Sequence, residues 1–266
     1  MKFDELDVRM RVFETAHDHC VLPGIHIVCR LDGHGFTRLT RETHPFEAPF
    51  DVRFRDLMVG TVRALMDANA SIVYGYTESD EISVLFRRDA DDFGRKERKL
   101  NSILAGEASA AFTLALGAAA TFDCRVCQLP TADLVRDYFR WRQEDAHRNA
   151  LSSHCYWIQR KEGASVKDAT ARLMGMTTAQ KNEFLFQRGV NYDTVPAWQK
   201  RGVGVVRETY EIEGRDPRTG ATSKATRRRL RVIEDLPMKD EYDAFVMAQL
   251  GGVTALTSAT WPPSPL

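Results

Sequence analysis

Two short stretches place carboxylates where a strand runs out into a turn. The first is Arg30-Leu31-Asp32-Gly33-His34-Gly35-Phe36-Thr37 and the second is Gly75-Tyr76-Thr77-Glu78-Ser79-Asp80-Glu81. Hard divalent ions such as Mg2+ take oxygen ligands and prefer one or two carboxylates completed by phosphate oxygens. Two such ions roughly 3.5–4 Å apart can activate an attacking hydroxyl and stabilise the leaving oxygen in phosphoryl or nucleotidyl transfer. Gly33 and Gly35 would let main-chain N–H groups approach and cradle a triphosphate. Each stretch alone reads more simply as a tight turn or a solvated hairpin tip. The chemistry requires that the fold bring Asp32 and Asp80 together.

The surrounding pattern predicts that it does. Ile25, Ile27, Cys29 and Leu31 alternate with His26, Val28 and Arg30, the period-two signature of a half-buried strand. Ile72-Val73-Tyr74 leads into a turn, and Ile82, Val84 and Phe86 resume the alternation beyond it, which sets Asp80 and Glu81 at a hairpin tip. Phe54, Leu57, Met58, Thr61, Leu65 and Met66 share one helical stripe within residues 51–69. A long helix is expected near residues 94–118, and residues 121–126 alternate again. Strand, helix, strand, strand, helix, strand is the split βαβ, or ferredoxin-like, order. With right-handed crossovers the first two strands run the same way and the third returns between them. Asp32 and Asp80 then meet at one edge of the sheet, in an α+β, polymerase-palm-like arrangement.

Composition sets the bounds. A chain of 266 residues with 43% hydrophobic and 28% charged residues is ordinary for a globular protein with an ample core. Its formal net charge is zero, so a polyanionic partner must be met by local basic patches. No stretch reaches membrane-spanning length, and the start lacks the apolar run of a signal peptide. Five scattered cysteines fit a reduced, cytoplasmic chain better than a disulfide framework. Cys124 and Cys127 form a Cys-x-x-Cys, but on a strand they point to opposite faces and make a poor zinc site. Residues 4–20 are expected to form a short amphipathic helix with Leu6, Met10 and Phe13 on one face.

Together with Ala108-Ser109-Ala110-Ala111-Phe112 and Phe122-Asp123-Cys124-Arg125, the two motifs make the chain resemble the tRNA-histidine guanylyltransferase superfamily. These enzymes add nucleotides to the 5′ end of RNA in the 3′-to-5′ direction. The resemblance implies catalysis at Asp32 and Asp80, with Glu81 nearby, and two Mg2+ ions held by Asp32, Asp80 and the Gly33 carbonyl. It also implies contacts to a nucleoside triphosphate from Asp32, Gly33, His34, Gly35, Phe36, Thr37, Ser79 and Asp80, with Lys99 reaching the phosphates. A 5′-monophosphorylated RNA would be activated by ATP or GTP, after which the 3′-hydroxyl of an incoming triphosphate attacks. The similarity continues through Asp137–Asn149, where arginines and aromatics are interleaved as in surfaces that stack on RNA. Arg140, Arg142, His147, Arg148 and Asn149 are the candidates there, while Tyr138, Phe139 and Trp141 read mainly as core. The guanylyltransferase branch carries His-Ile-Asn-Asn at this point, whereas this chain has His147-Arg148-Asn149-Ala150. That departure favours the guanylyltransferase-like proteins of bacteria and archaea, which repair truncated tRNA 5′ ends by templated addition. The expected assembly is a homotetramer, with tRNA and nucleoside triphosphates as partners and no membrane.

Residues 1–160 are thus expected to form the palm-like catalytic domain and residues 161–266 a helical and hairpin appendage packed with the palm and contacting tRNA. Ser165-Val166-Lys167-Asp168 and Thr177 with Gln180 are capping boxes opening helices that end near Gly175 and Gly189. Val203–Val206 and Arg231–Ile233 flank a charged excursion at 213–229 whose Arg215 and Arg218 are candidate RNA contacts. Other readings are single addition of G to tRNA-His, a palm-type cyclase or oligonucleotide synthase, and a non-catalytic RNA-binding protein.

Overall fold

The computed structural model describes residues 2–215 and 222–251. In chain order the elements are α1 (Phe3–Thr15), β1 (His26–His34), the single turn α2 (Phe36–Arg38), α3 (Val52–Ala68), β2 (Ile72–Glu78) and β3 (Glu81–Phe86). They continue with α4 (Glu97–Leu116), β4 (Thr121–Leu129), α5 (Ala132–Lys161), α6 (Val166–Leu173), α7 (Thr178–Phe186) and α8 (Ala197–Arg201). β5 (Val203–Arg215), β6 (Thr222–Ile233) and α9 (Lys239–Leu250) complete the described chain.

The strands form one six-stranded sheet in the order β4-β1-β3-β2-β5-β6, with every neighbouring pair antiparallel. Because β1 and β2 both run antiparallel to β3 between them, they point the same way. Alternation along the strands then feeds two separate cores. On one face Ile27, Cys29 and Leu31 of β1 and Ile82, Val84 and Phe86 of β3 pack under α3 and α4. The helices contribute Met58, Val62, Leu65 and Met66 from α3 and Leu104, Ala108 and Phe112 from α4. On the other face Val28, Tyr74, Tyr76 and Leu85 meet Val135, Tyr138 and Phe139 of α5 and Tyr242 and Val246 of α9.

That second layer corrects the reading of β1 as half-buried. His26 and Val28 are as enclosed as their neighbours, and Arg30 is covered as well, at 17% exposure of its side chain. Polar residues at alternate positions disguise a central strand when their polar ends have partners inside. Cys124 and Cys127 do fall on opposite faces, one in each core.

The chain after residue 160 contributes to the same sheet. The boundary falls inside the last turn of α5, and β5 pairs with β2 through Tyr74–Thr77 and Val203–Val206. Ser165 caps α6 by accepting the Asp168 N–H at 3.1 Å, and Thr177 with Gln180 forms the capping box of α7. Gly175 (φ 81°) and Gly189 (φ 77°) follow these helices in the left-handed conformation. The expected excursion at 213–229 is shorter than its composition suggests, because β5 and β6 run paired from Gly204↔Ile233 to Arg215↔Thr222. Arg218 lies outside the described residues. Helix α1 is also shorter than expected, and none of its residues is buried. None of the helices among the described residues is long and apolar enough to cross a membrane.

Candidate active site

The turn after β1 and the tip of the β2–β3 hairpin join at one end of the sheet. The Gly33 N–H donates to the Asp80 carbonyl at 3.0 Å, and Asp32 is the cross-strand partner of Glu81. Two features of sequence make the first turn. A Cβ on Gly33 would lie 2.5–2.7 Å from the Phe36 ring, so only glycine allows that ring to fold back under the turn. Gly35 takes φ 72°, which costs glycine little and other residues more. Phe36 then anchors the loop, with its ring 5.0 Å from Phe112 and 4.9 Å from Phe122 between centroids. His34, Gly35 and Thr37 are left exposed, whereas Phe36 is buried. In the hairpin tip Ser79 sits at φ 49° and its hydroxyl donates to the Asp80 carboxylate at 3.1 Å.

Around this pair the charges are unevenly matched. Arg30 donates to Glu81 and, at 3.3 Å, to Asp32. Arg142 of α5, buried at 4% exposure, donates to Glu81 at 2.6 Å, to Glu78 at 3.2 Å and to Asp145 at 3.4 Å. Arg148 also pairs with Asp145, so five carboxylates face three guanidiniums. Burial pushes the Asp80 carboxyl above its usual range, and the charges of Asp32 and Glu81 push the same way. Glu78 is pushed up to about 8 by burial first and then by Glu81 and Asp145, with Arg142 opposing. Among the described residues no cluster of three or more His, Cys, Asp or Glu side chains is poised for a metal. An enclosed carboxylate pair in surplus over its cations nevertheless has the donor chemistry for hard divalent ions completed by phosphate oxygens.

A cavity of about 570 Å3 opens beside the pair. Its wall combines Thr37, Ser79 and Asp80 with Phe46, Phe50, Arg41, Trp157, Trp198 and Asn149. Arg41 lies over the Trp157 ring at 5.4 Å and Arg55 over Trp198 at 5.0 Å. Of these residues only Thr37, Ser79, Asp80 and Asn149 were legible as candidates. Residues Phe46–Phe50 lie between helices without periodicity, and Trp157 and Trp198 come from helices whose position no local pattern announces.

Three expected contacts are placed differently. Lys99 is exposed in the first turn of α4, which lies at the opposite end of the sheet: the Gln128 amide donates to Glu97, and Cys20 bridges Lys96. Phe112, the α4 residue that touches the Asp32 turn through Phe36, is about 20 Å farther along the helix axis. A basic helix start in sequence carries no information on which end of the sheet it reaches. Arg142 is an internal brace rather than an exposed cation, held by three carboxylates. Arg140 donates to Asp243 at 2.7 Å and to Glu144 at 3.1 Å, which fastens α9 to α5. His147 is half-buried with its ring 5.4 Å from Tyr192, and burial holds its pKa below the usual value. Arg148 and Asn149 are exposed, the former ion-paired with Asp145. Arg215 is the last residue of β5.

Comparison with known proteins identifies the family. The sequence profile of tRNAHis guanylyltransferase matches residues 7–130, and that of the Thg1 C terminal domain matches residues 133–243. A probable tRNA(His) guanylyltransferase of Drosophila melanogaster is 34% identical over 201 residues, covering 72% of this chain and 70% of that one. The tRNA(His) guanylyltransferase of Debaryomyces hansenii is 34% identical over 219 residues, covering 77% and 82%. Among solved structures, a bacterial Thg1-like protein in complex with ATP superposes with a TM-score of 0.72 at 25% identity, covering 92% of this chain and 99% of that one. The Saccharomyces cerevisiae tRNA(His) guanylyltransferase gives a TM-score of 0.68 at 25% identity, covering 73% and 91%. With both profiles matched along most of its length, the chain belongs to the tRNAHis guanylyltransferase family and is a nucleotidyltransferase.

Proposed function

We propose that the protein is a tRNA(His) guanylyltransferase, adding a nucleotide to a tRNA 5′ end in the 3′-to-5′ direction. The observation that carries this is the Gly33–Asp80 backbone hydrogen bond, which joins two carboxylate-bearing turns beside a cavity of nucleotide size. The strand order β4-β1-β3-β2 with helical crossovers α3 and α4 supports reading residues 1–160 as a ferredoxin-like palm. β5 and β6, from the chain after residue 160, complete the sheet and offer the RNA a basic ribbon.

Asp32, Asp80 and the Gly33 carbonyl would hold two Mg2+ ions, which when bound neutralise triphosphate charge and make a ribose 3′-hydroxyl a better nucleophile. The protein's own part is positional. Phe36 fixes the glycine turn so that its N–H groups can meet phosphate oxygens, while Ser79 orients the Asp80 carboxylate. Glu81, taken up by Arg30 and Arg142, holds the hairpin tip in register with Asp32. The aromatic wall of Phe46, Phe50, Trp157 and Trp198 offers a nucleobase a dry, flat surface. In this reading the 5′-monophosphate attacks the α-phosphorus of ATP or GTP and releases pyrophosphate, and the 3′-hydroxyl of GTP then attacks the activated 5′ phosphate, loses its proton and releases AMP or GMP. The exposed stripe Phe3, Leu6, Met10 and Phe13 on α1 supports burial in a homotetramer.

A second reading, templated filling of truncated tRNA 5′ ends, is favoured by His147-Arg148-Asn149-Ala150 and by the near-complete overlap with bacterial Thg1-like structures. The deciding experiment is 5′ extension of two 5′-monophosphorylated tRNAs with Mg2+, ATP and all four triphosphates. One is tRNA-His without its extra G and the other a tRNA missing its first nucleotide. Addition of G to the first regardless of the opposing base supports the guanylyltransferase. Preferential filling of the second, with the base set by the opposing strand, selects repair. Extension of neither refutes both.

A further inference from the structure

Helix α5 contributes one aromatic side chain that neither the fold nor the carboxylate site consumes. Tyr138 and Phe139 are buried, the former with its hydroxyl 2.9 Å from that of Ser83, but Trp141 is 56% exposed. At about 100° per residue, the sheet-facing side of α5 is marked by Tyr138, Phe139 and Arg142. Its α9 flank is marked by Arg140, bonded to Asp243, and by Gln143, bonded to the Pro237 carbonyl. Trp141 falls on the opposite flank together with Leu134, Asp145 and Arg148, over the β4–β1 side of the sheet. That is the side of Arg30 and Asp32, whereas the aromatic cavity adjoins Ser79 and Asp80.

The indole is held. The Arg142 guanidinium lies 4.7 Å from its centroid and Tyr138 meets it edge-on at 6.1 Å, so one face is backed while more than half of the residue stays open. Two exposed arginines belong to the same β4 and α5 surface, each ion-paired with an aspartate, Arg125 with Asp123 and Arg148 with Asp145. Arg125 is the cross-strand partner of Arg30 and is 55% exposed, and Arg148 is 74% exposed. An aromatic plane fixed on Arg142, which reaches Glu81 at the carboxylate site, on a surface that also carries arginines, has the composition of a base-stacking platform.

We propose that the free face of Trp141 stacks on the terminal base pair of the RNA acceptor, with Arg125 and Arg148 taking its flanking phosphates. This rests on the reading that the protein extends an RNA 5′ end. It adds the route by which the end arrives: across β4 and α5, opposite the cavity assigned to the incoming nucleotide.

The test is steady-state extension of a 5′-monophosphorylated hairpin RNA by Trp141→Ala and Trp141→Phe, with Leu114→Ala as an exposed control on α4. The alanine variant is expected to raise KM for RNA about tenfold while KM for the triphosphate moves less than about twofold, with phenylalanine restoring most of the loss. Replacing the terminal base pair by an abasic site should erase the difference between wild type and Trp141→Ala. An unchanged KM for RNA overturns the proposal. So does a parallel rise in both KM values, which would mean that the ring merely props Arg142. If the wild type extends no RNA, the functional reading fails by itself. The platform is then judged by equilibrium binding of the same hairpin without nucleotide, where Trp141→Ala must still bind about tenfold more weakly.

Discussion

Asp80 is largely enclosed next to Asp32 with a serine hydroxyl as its side-chain donor, so its charge opposes folding, and under the proposed function that charge would serve the reaction. Asp80→Ala should therefore abolish nucleotide addition without lowering the melting temperature in Mg2+-free buffer. A large drop in melting temperature would mark Asp80 as a structural residue. Glu78 gives a pH signature. Its folded-state pKa is raised to about 8 from the ordinary 4.5, so the folded protein holds this proton more tightly than the unfolded chain. The associated stability is fully present below about pH 4.5 and is lost as pH rises through about 8. Glu78→Gln removes the titration, and its advantage over wild type should grow across that window to a few kcal/mol at most. Urea titrations at pH 6 and pH 9 in the absence of divalent ions measure it, and equal differences at the two pH values would refute the assignment. Neither effect was legible from the sequence, where Glu78 is one of several acids in a turn. Its burial is imposed by α5 and by Arg142 on it, which lies 64 residues downstream.

At the scale of elements, the part of the fold that carries the carboxylates was readable because it depends on local alternation and short turns. β1, the β2–β3 hairpin, α3 and β4 all lie where apolar periodicity places them, and the meeting of Asp32 with Asp80 follows from their order. What was not readable depends on distant partners. α5 and α9 cover the second face of the sheet and make β1 a central buried strand, and nothing in residues 25–31 signals that cover. Lys99 shows the same limit, since the direction of α4 across the sheet decides which end its basic turn reaches. The β1 turn makes a direct prediction. Gly33→Ala puts a methyl carbon 2.5–2.7 Å from the Phe36 ring, which is itself packed against Phe54, Phe112 and Phe122 and cannot yield cheaply. The expected cost is about 1–3 kcal/mol, with loss of triphosphate binding larger than the stability loss alone would produce. Gly35→Ala, where no atom lies within 4 Å of the added carbon, tests backbone strain without the clash and should bind better than Gly33→Ala. Equal behaviour of the two would mean that the Phe36 wedge does not set the turn.

For the whole molecule, equal numbers of acidic and basic residues give zero formal charge, so long-range attraction cannot hold an RNA to it. Affinity has to come from places where the charges separate, and β5–β6 is such a place. β2 pairs with β5 only as far as Val206, after which β5 and β6 continue as a two-stranded ribbon to Arg215. Eight residues of ribbon from Glu208 onward span about 27 Å. Arg227, Arg229 and Arg231 share one face of it by alternation, and Glu208 accepts from both Arg229, at 2.7 Å, and Arg231, at 3.4 Å. Arg229 also lies 4.9 Å over Tyr210. Arg227 and Arg228, on opposite faces, are exposed beyond this cluster. Each arginine that neutralises a phosphate releases condensed counterions, which lowers the slope of log affinity against log salt by roughly 0.7–0.9. The double variant Arg227→Ala, Arg228→Ala should therefore bind tRNA more weakly at low salt and show a slope shallower by about 1.5, with its melting temperature unchanged. The two binding lines should converge as salt is raised. Parallel lines would place the RNA elsewhere and leave the ribbon as a solvated arm, and an unchanged affinity at all salt concentrations would do the same.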